Sequence, residues 1–169
     1  AVRNGTLQDS SVLVARKLGE HRMVLCAAPD YLQKKGQPQR VDDLPQHTAI
    51  NYLRAGRVLP WQLMDDEGTS RTFTPRSSLN MDDLQAICDA ALAGHGIAWL
   101  PCWMVIKEIH QGKLVPLLKQ APDVHFNVHA VWQLTPHLPL RVRIAVDTLA
   151  SRLPAVMSLD LPAPIKKPR

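Results

Sequence analysis

The hydrophobic period along this chain switches repeatedly between that of a strand and that of a helix, and no internal repeat interrupts the switching. Alternation of this kind restricts the chain to an α/β architecture. Met23 to Ala28 is a continuous apolar run, as in a strand covered on both faces. Pro29 then opens a short helix that Gly36 closes, and Val41-Asp42-Asp43-Leu44 has the form of one helical turn. Thr48 to Leu53 is the next strand. Trp61-Gln62-Leu63-Met64 alternates toward the acidic turn Asp65-Asp66-Glu67-Gly68, and Thr69 to Leu79 is its returning arm.

The strongest helical pattern is Met81 to Ala93, where Leu84, Ile87, Cys88, Ala91 and Leu92 share one face. Asn80 is placed to cap its start, Asp82 and Asp83 fall in its first turn, and Gly94 ends it. Ile97-Ala98-Trp99-Leu100 follows as a short buried strand. Pro101 begins a helix carrying Trp103, Ile106 and Ile109, which Gly112 stops. Lys113 to Leu118 and Phe126 to Gln133 are further strands. Pro139 opens the last long helix, with Val142, Ala145, Val146, Leu149 and Leu153 on one face and Pro154 at its end. Trp99 and Trp103 serve as core anchors in this reading.

Composition narrows the function classes. The chain has 169 residues, 46% of them hydrophobic and 21% charged, enough for one domain or two small lobes. No apolar run approaches the roughly 18 residues of a membrane span. The net charge of +5 includes Lys166, Lys167 and Arg169 of a Pro-rich end expected to be disordered from residue 158 to 169. The other basic residues are scattered among acidic ones, which argues against a nucleic-acid reader in the body of the chain. Cys26, Cys88 and Cys102 form no CxxC pair and each sits in an apolar stretch, as buried thiols in a reducing compartment do. The start Ala1-Val2-Arg3-Asn4-Gly5 has neither an initiator Met nor a signal peptide, the start expected of a fragment or a processed chain.

Catalytic and metal-binding patterns are thin. His125 and His129 would share a strand face, with Asp123 nearby, but no fourth metal ligand is evident. Cys26 and Cys102 lie in apolar surroundings that do not favour a thiolate, and no GxSxG elbow surrounds Ser10-Ser11. Gly94 and Gly96 flank His95 without the rest of a dinucleotide fingerprint, so no cofactor is implied.

Several segments, in order and spacing, resemble the effector-binding domain of LysR-type transcriptional regulators. They are Val2-Arg3-Asn4-Gly5, Asp9 to Gly19 (DSSVLVARKLG), Leu25 to Leu32 (LCAAPDYL), Leu44-Pro45-Gln46-His47, Leu79 to Leu84 (LNMDDL), Ala90 to Pro101 (AALAGHGIAWLP), Gly112 to Val115 and Leu138 to Arg143. The resemblance covers Val2 to about Met157. It implies a fold similar to type 2 periplasmic binding proteins, in which two α/β lobes joined by two crossover strands enclose a ligand cleft. The crossovers would be residues 23–28 and 126–133. Lobe II would be 29–125, and lobe I would combine 1–22 with 134–157, truncated on its N-terminal side.

The function implied is that of a cytoplasmic sensor, not an enzyme, which binds a small-molecule effector. It would pair with its own copies and act on DNA only through an N-terminal helix-turn-helix absent from this chain. Position in the family pattern points to Arg3, Asn4, Cys26, Ala27, Asn51, Tyr52, Asn80, Met81 and His129 as effector-facing. Each also has a plain structural reading: Arg3 a surface ion pair, Asn80 a helix cap, Tyr52 a packed ring. A secreted solute-binding protein of similar fold and a small enzyme on the same scaffold are the competing readings.

Overall fold

The computed structural model describes residues 1–65, 67–75, 77–119 and 124–157. The expected disordered tail, Asp66 of the acidic turn and Asp123 beside the histidine pair lie outside the described residues. The first half of the chain runs β1 (Val2–Asn4), β2 (Leu13–Ala27), α1 (Pro29–Lys35), a 3-10 turn (Val41–Gln46), β3 (Ala49–Arg54), β4 (Arg57–Val58), β5 (Trp61–Met64) and β6 (Ser70–Phe73). The second half adds β7 (Ser77–Met81), α2 (Leu84–Leu92), β8 (Ile97–Pro101), α3 (Cys102–His110), β9 (Val115–Pro116), β10 (His125–Gln133) and α4 (Leu140–Met157). These elements form two compact units: Ala1–Arg22 with 125–157, and Met23–Val124.

The first unit is a three-stranded antiparallel sheet in the order β1, β10, β2. Leu18 is passed over in the register, because Val128 faces Gly19 and His129 faces Lys17. Its side chain is buried with Val128, Ala130, Val146 and Met157 in the core formed with α4. The helix was expected to stop at Pro154, yet α4 continues to Met157. A proline inside a helix removes one intrahelical donor and crowds the carbonyl one turn earlier, so tertiary contacts must hold the turn that follows. The last turn is retained by Met157, which is buried and lies over Gly19 so closely that a Cβ there would come within 2.6 Å of Met157 Cε.

The second unit is a mixed sheet. The end of β2 pairs antiparallel with β8 and β9, β3 lies parallel to both β8 and β7, and β4 turns back antiparallel on β3. Residues along the end of β2 alternate between two cores, as a strand covered on both faces must. Val24 and Cys26 pack with α2 and α3 residues such as Ile87 and Val105, while Leu25 and Ala27 pack with Tyr31, Leu44, Trp61 and Ile97. The apolar run read from Met23 is thus the last third of a strand that begins at Leu13. Tyr31, although buried, keeps its hydroxyl satisfied: it accepts from the Thr48 N–H at 2.9 Å and meets His47 Nδ1 at 3.2 Å.

Several local expectations are corrected here. Asn80 lies in β7 and does not cap α2; the cap is Asp83, whose carboxylate accepts the Ala86 N–H at 2.8 Å. The arm returning from Trp61–Met64 ends at Phe73, and residues 77–81 instead pair parallel with β3. The strand expected over Lys113 to Leu118 shrinks to Val115–Pro116, where Pro116 offers no N–H and Leu118 turns away at φ 52°. Trp103 is 40% exposed on α3 and is no core anchor, whereas Trp99 packs against the second cluster. Helices α2 and α3 end as their glycines suggest. Gly94 N–H bonds the Ala91 carbonyl and His95 N–H that of Ala90, and Gly112 and Lys113 repeat the pattern on Ile109 and Glu108.

Candidate functional site

Within the second unit, the parallel trio β7, β3 and β8 places the ends of β3 and β7 side by side, with Asn51 opposite Asn80 and Tyr52 opposite Met81. In open α/β sheets the carboxyl ends of parallel strands are where ligands are received. Asn51 is fully buried. Its Nδ2 donates to the Pro75 carbonyl at 3.3 Å and to Asn80 Oδ1 at 3.4 Å, while its Oδ1 is buried with no hydrogen-bond partner among the described residues. A buried amide oxygen left unpaired costs free energy on the order of 1–3 kcal/mol until a donor meets it. Tyr52 and Met81 are half-buried against the core, and Asn80 is exposed. The structure therefore brings four of the sequence-derived residues together on two adjacent strands. Pro75, whose carbonyl orients Asn51, carries no signal of its own in the sequence.

Cys26 and Ala27 have no exposed surface. Their side chains are core groups on opposite faces of β2. Burial pushes the Cys26 thiol far above its ordinary range, with Cys88 and Cys102 adding to the effect. Burial also raises Cys88, to about 11, helped by Glu108 and Asp89. Thiols held protonated in this way are poor nucleophiles and poor ligands. Among the described residues no group of three or more His, Cys, Asp or Glu is placed to hold a metal ion.

In the first unit, Arg3 on β1, His129 on β10 and Lys17 on β2 stand opposite one another in register, forming one row across the sheet. Arg3 is exposed, and His129 is half-buried, its Nδ1 buried and without a hydrogen-bond partner among the described residues. Lys17 is held by Glu20 at 3.0 Å, and Glu20 also faces His125 at 3.6 Å. Asn4, though exposed, is engaged: its Oδ1 lies 3.1 Å from Nε2 of His21. His21 is buried, stacked on Phe126, and burial lowers its pKa below the ordinary value. No sequence pattern marked His21, because an isolated His in a polar stretch of strand has no periodic signature.

Residues 1–154 match the family model described as the LysR substrate binding domain. The chain is 34% identical over 155 residues to the HTH-type transcriptional regulator CrgA of Neisseria meningitidis serogroup C (strain 8013), covering 90% of this chain and 50% of that protein. It is 35% identical over 151 residues to the HTH-type transcriptional activator AaeR of Escherichia coli (strain K12), covering 88% and 47%. The chain thus spans about half the length of these curated relatives. Among solved structures, the CrgA regulatory domain from Neisseria meningitidis superposes with a TM-score of 0.75 at 29% identity, over 90% of this chain and 74% of that one. Full-length AphB of Vibrio cholerae, a virulence activator of the same regulator family, superposes with a TM-score of 0.77 at 29% identity, over 89% and 50%. The fold is that of LysR-type regulatory domains, similar to type 2 periplasmic binding proteins, and the chain belongs to the LysR substrate-binding-domain family.

Proposed function

We propose that this chain is the effector-sensing part of a LysR-type transcriptional regulator: it binds a small molecule reversibly, makes and breaks no covalent bond, and works in the cytoplasm with copies of itself. The observation that carries this reading is the match of nearly the whole chain, residues 1–154, to the LysR substrate binding domain. The relatives' description as HTH-type regulators supports a DNA-binding segment elsewhere in the full protein. Protonated, buried thiols support binding rather than catalysis. Among the described residues no helix is long and apolar enough to cross a membrane.

Lobe I is assigned to 1–22 with 134–157, lobe II to 29–125, and the crossovers to 23–28 and 126–133. Effector contacts are assigned to Asn51, Tyr52, Asn80 and Met81 in the second unit and to Arg3 and His129 in the first. Asn4 is assigned as a positioning residue through His21, and Cys26 and Ala27, which have no exposed surface, are assigned no contact with the effector. An effector biases the regulator only by its differential affinity for two states, a coupling of typically 1–3 kcal/mol.

A thermal-shift screen with small carboxylates, amino acids and aromatic metabolites tests the reading, each hit being recovered and weighed by mass spectrometry. A ligand at a hundred times its Kd adds about 2.7 kcal/mol to stability, a readily seen shift. The expected outcome is saturable stabilisation with the compound intact, and a weaker shift in Asn51→Leu. A compound consumed by the protein would overturn the assignment in favour of an enzyme.

A further inference from the structure

We propose that the tip of the β3–β4 hairpin, Arg54-Ala55-Gly56-Arg57, is a docking point for an acidic segment of a partner protein, separate from the effector-binding residues. Leu53 pairs with Val58 and Arg54 with Arg57. Two guanidinium side chains thus stand directly opposite each other on adjacent strands, an arrangement that like charges make unfavourable. Both are exposed, and among the described residues neither side chain has an ion-pair or hydrogen-bond partner. Among the described residues of this unit, the ion pairs of Arg40 with Asp43 and Arg71 with Asp65 do not involve them.

The connecting turn runs against local preference as well. Ala55 has φ 49° and Gly56 φ 74°, two consecutive left-handed residues of the kind a type I′ turn requires. Asn, Asp or Gly suits the first of those positions, while alanine carries a Cβ penalty there. An opposed like-charge pair and a strained alanine therefore coincide in four consecutive residues. Local choices that oppose folding concentrate where residues serve recognition.

The chemistry of the patch points to carboxylates. Two guanidinium forks side by side match Asp and Glu side chains, which they can hold in bidentate fashion. Leu59, 37% exposed and tied to the hairpin through its N–H to the Tyr52 carbonyl at 2.9 Å, adds apolar surface beside them. Arginine is enriched at protein interfaces, whereas a nucleic-acid footprint needs a longer stripe of cations. Protection of a sheet edge is a weaker account of the pair, since β4 is only Arg57–Val58 and too short to template another strand.

The test is fluorescence anisotropy of a labelled peptide of alternating glutamate and leucine. It is titrated with the whole chain, with R54Q/R57Q, and with K166Q/K167Q/R169Q, which removes the positive charge of the last four residues. The chain and the tail variant should bind alike and lose affinity with salt. R54Q/R57Q should bind at least roughly tenfold more weakly while its melting temperature stays level or rises, because an unfavourable pair has been removed. A55N, better suited to the turn, should keep full binding and melt higher. Equal binding by R54Q/R57Q overturns the proposal, as does loss confined to the tail variant. So does tighter, hairpin-dependent binding of a labelled DNA duplex, which would make phosphate the partner. A lower melting temperature or self-association of R54Q/R57Q would show that the arginines serve the fold or its edge, and would overturn it equally.

Discussion

Gly96 sits where two strands approach each other too closely for any side chain. A Cβ there would lie 2.6 Å from the Thr48 carbonyl oxygen and 3.2 Å from its carbon, against backbone that cannot rotate away. That same carbonyl accepts the Ile97 N–H at 2.9 Å, where β3 and β8 join. Gly96→Ala should therefore cost about 1–3 kcal/mol by forcing the strands apart, measured as a lower urea midpoint at unchanged slope. His21 governs a different response. Burial places its folded-state pKa below the ordinary 6.5, so the unfolded chain takes up the proton first. Stability from this residue is complete above the unfolded value and is withdrawn as pH falls from there through the folded value. His21→Gln keeps a polar partner for Asn4 but cannot titrate. Its urea midpoint should fall less between neutral pH and pH 5.5 than that of the unaltered chain, and an identical fall would mean that other groups carry the dependence.

At the level of elements, α2 shows what pattern can and cannot settle. Its apolar face, Ile87, Cys88 and Ala91, was readable from spacing alone and is buried. Its first residue was not readable, because Asn80, Asp82 and Asp83 are all competent caps. The choice fell to Asp83 because residues 77–81 are drawn into the sheet beside β3, a pairing remote in sequence. Asp83→Ala should thus cost about 1 kcal/mol and Asn80→Ala distinctly less, both read from urea midpoints; the reverse order would return the cap to Asn80. The end of α4 carries the same lesson. Pro154 is a stop signal in any sequence, but burial of Met157 over Gly19 holds one more turn. The residues proposed to face the effector were nominated only through resemblance. Nothing in periodicity distinguishes Asn51, a buried amide with an unpaired oxygen, from the packed Tyr52 beside it.

For the molecule as a whole, the two units differ in how much core each possesses. The second unit holds two clusters of buried residues, around Leu100 and Val105 and around Trp61 and Ile97. The first has a single smaller one between its sheet and α4. Amide exchange should follow this difference. The slowest amides should be those of β3 and β8, and those of β1 and α4 should exchange through openings of lower free energy. Uniform protection across both units in a hydrogen-exchange experiment would contradict that ranking. The exposed Leu140, Ile144 and Val156 on α4 belong to the same less protected unit.

The α/β class, the burial on both faces of the run read as Met23 to Ala28, the glycine-ended helices α2 and α3 and the family itself follow from sequence alone. They depend on period, turn chemistry and motif order, which are local or additive along the chain. The start of α2, the end of α4, the parallel pairing of β7 with β3, the exposure of Trp103 and the sealing of Cys26 in a core were decided only by tertiary structure. Each depends on which distant segment supplies the next backbone donor or apolar surface, a competition between remote partners that no local window of sequence contains.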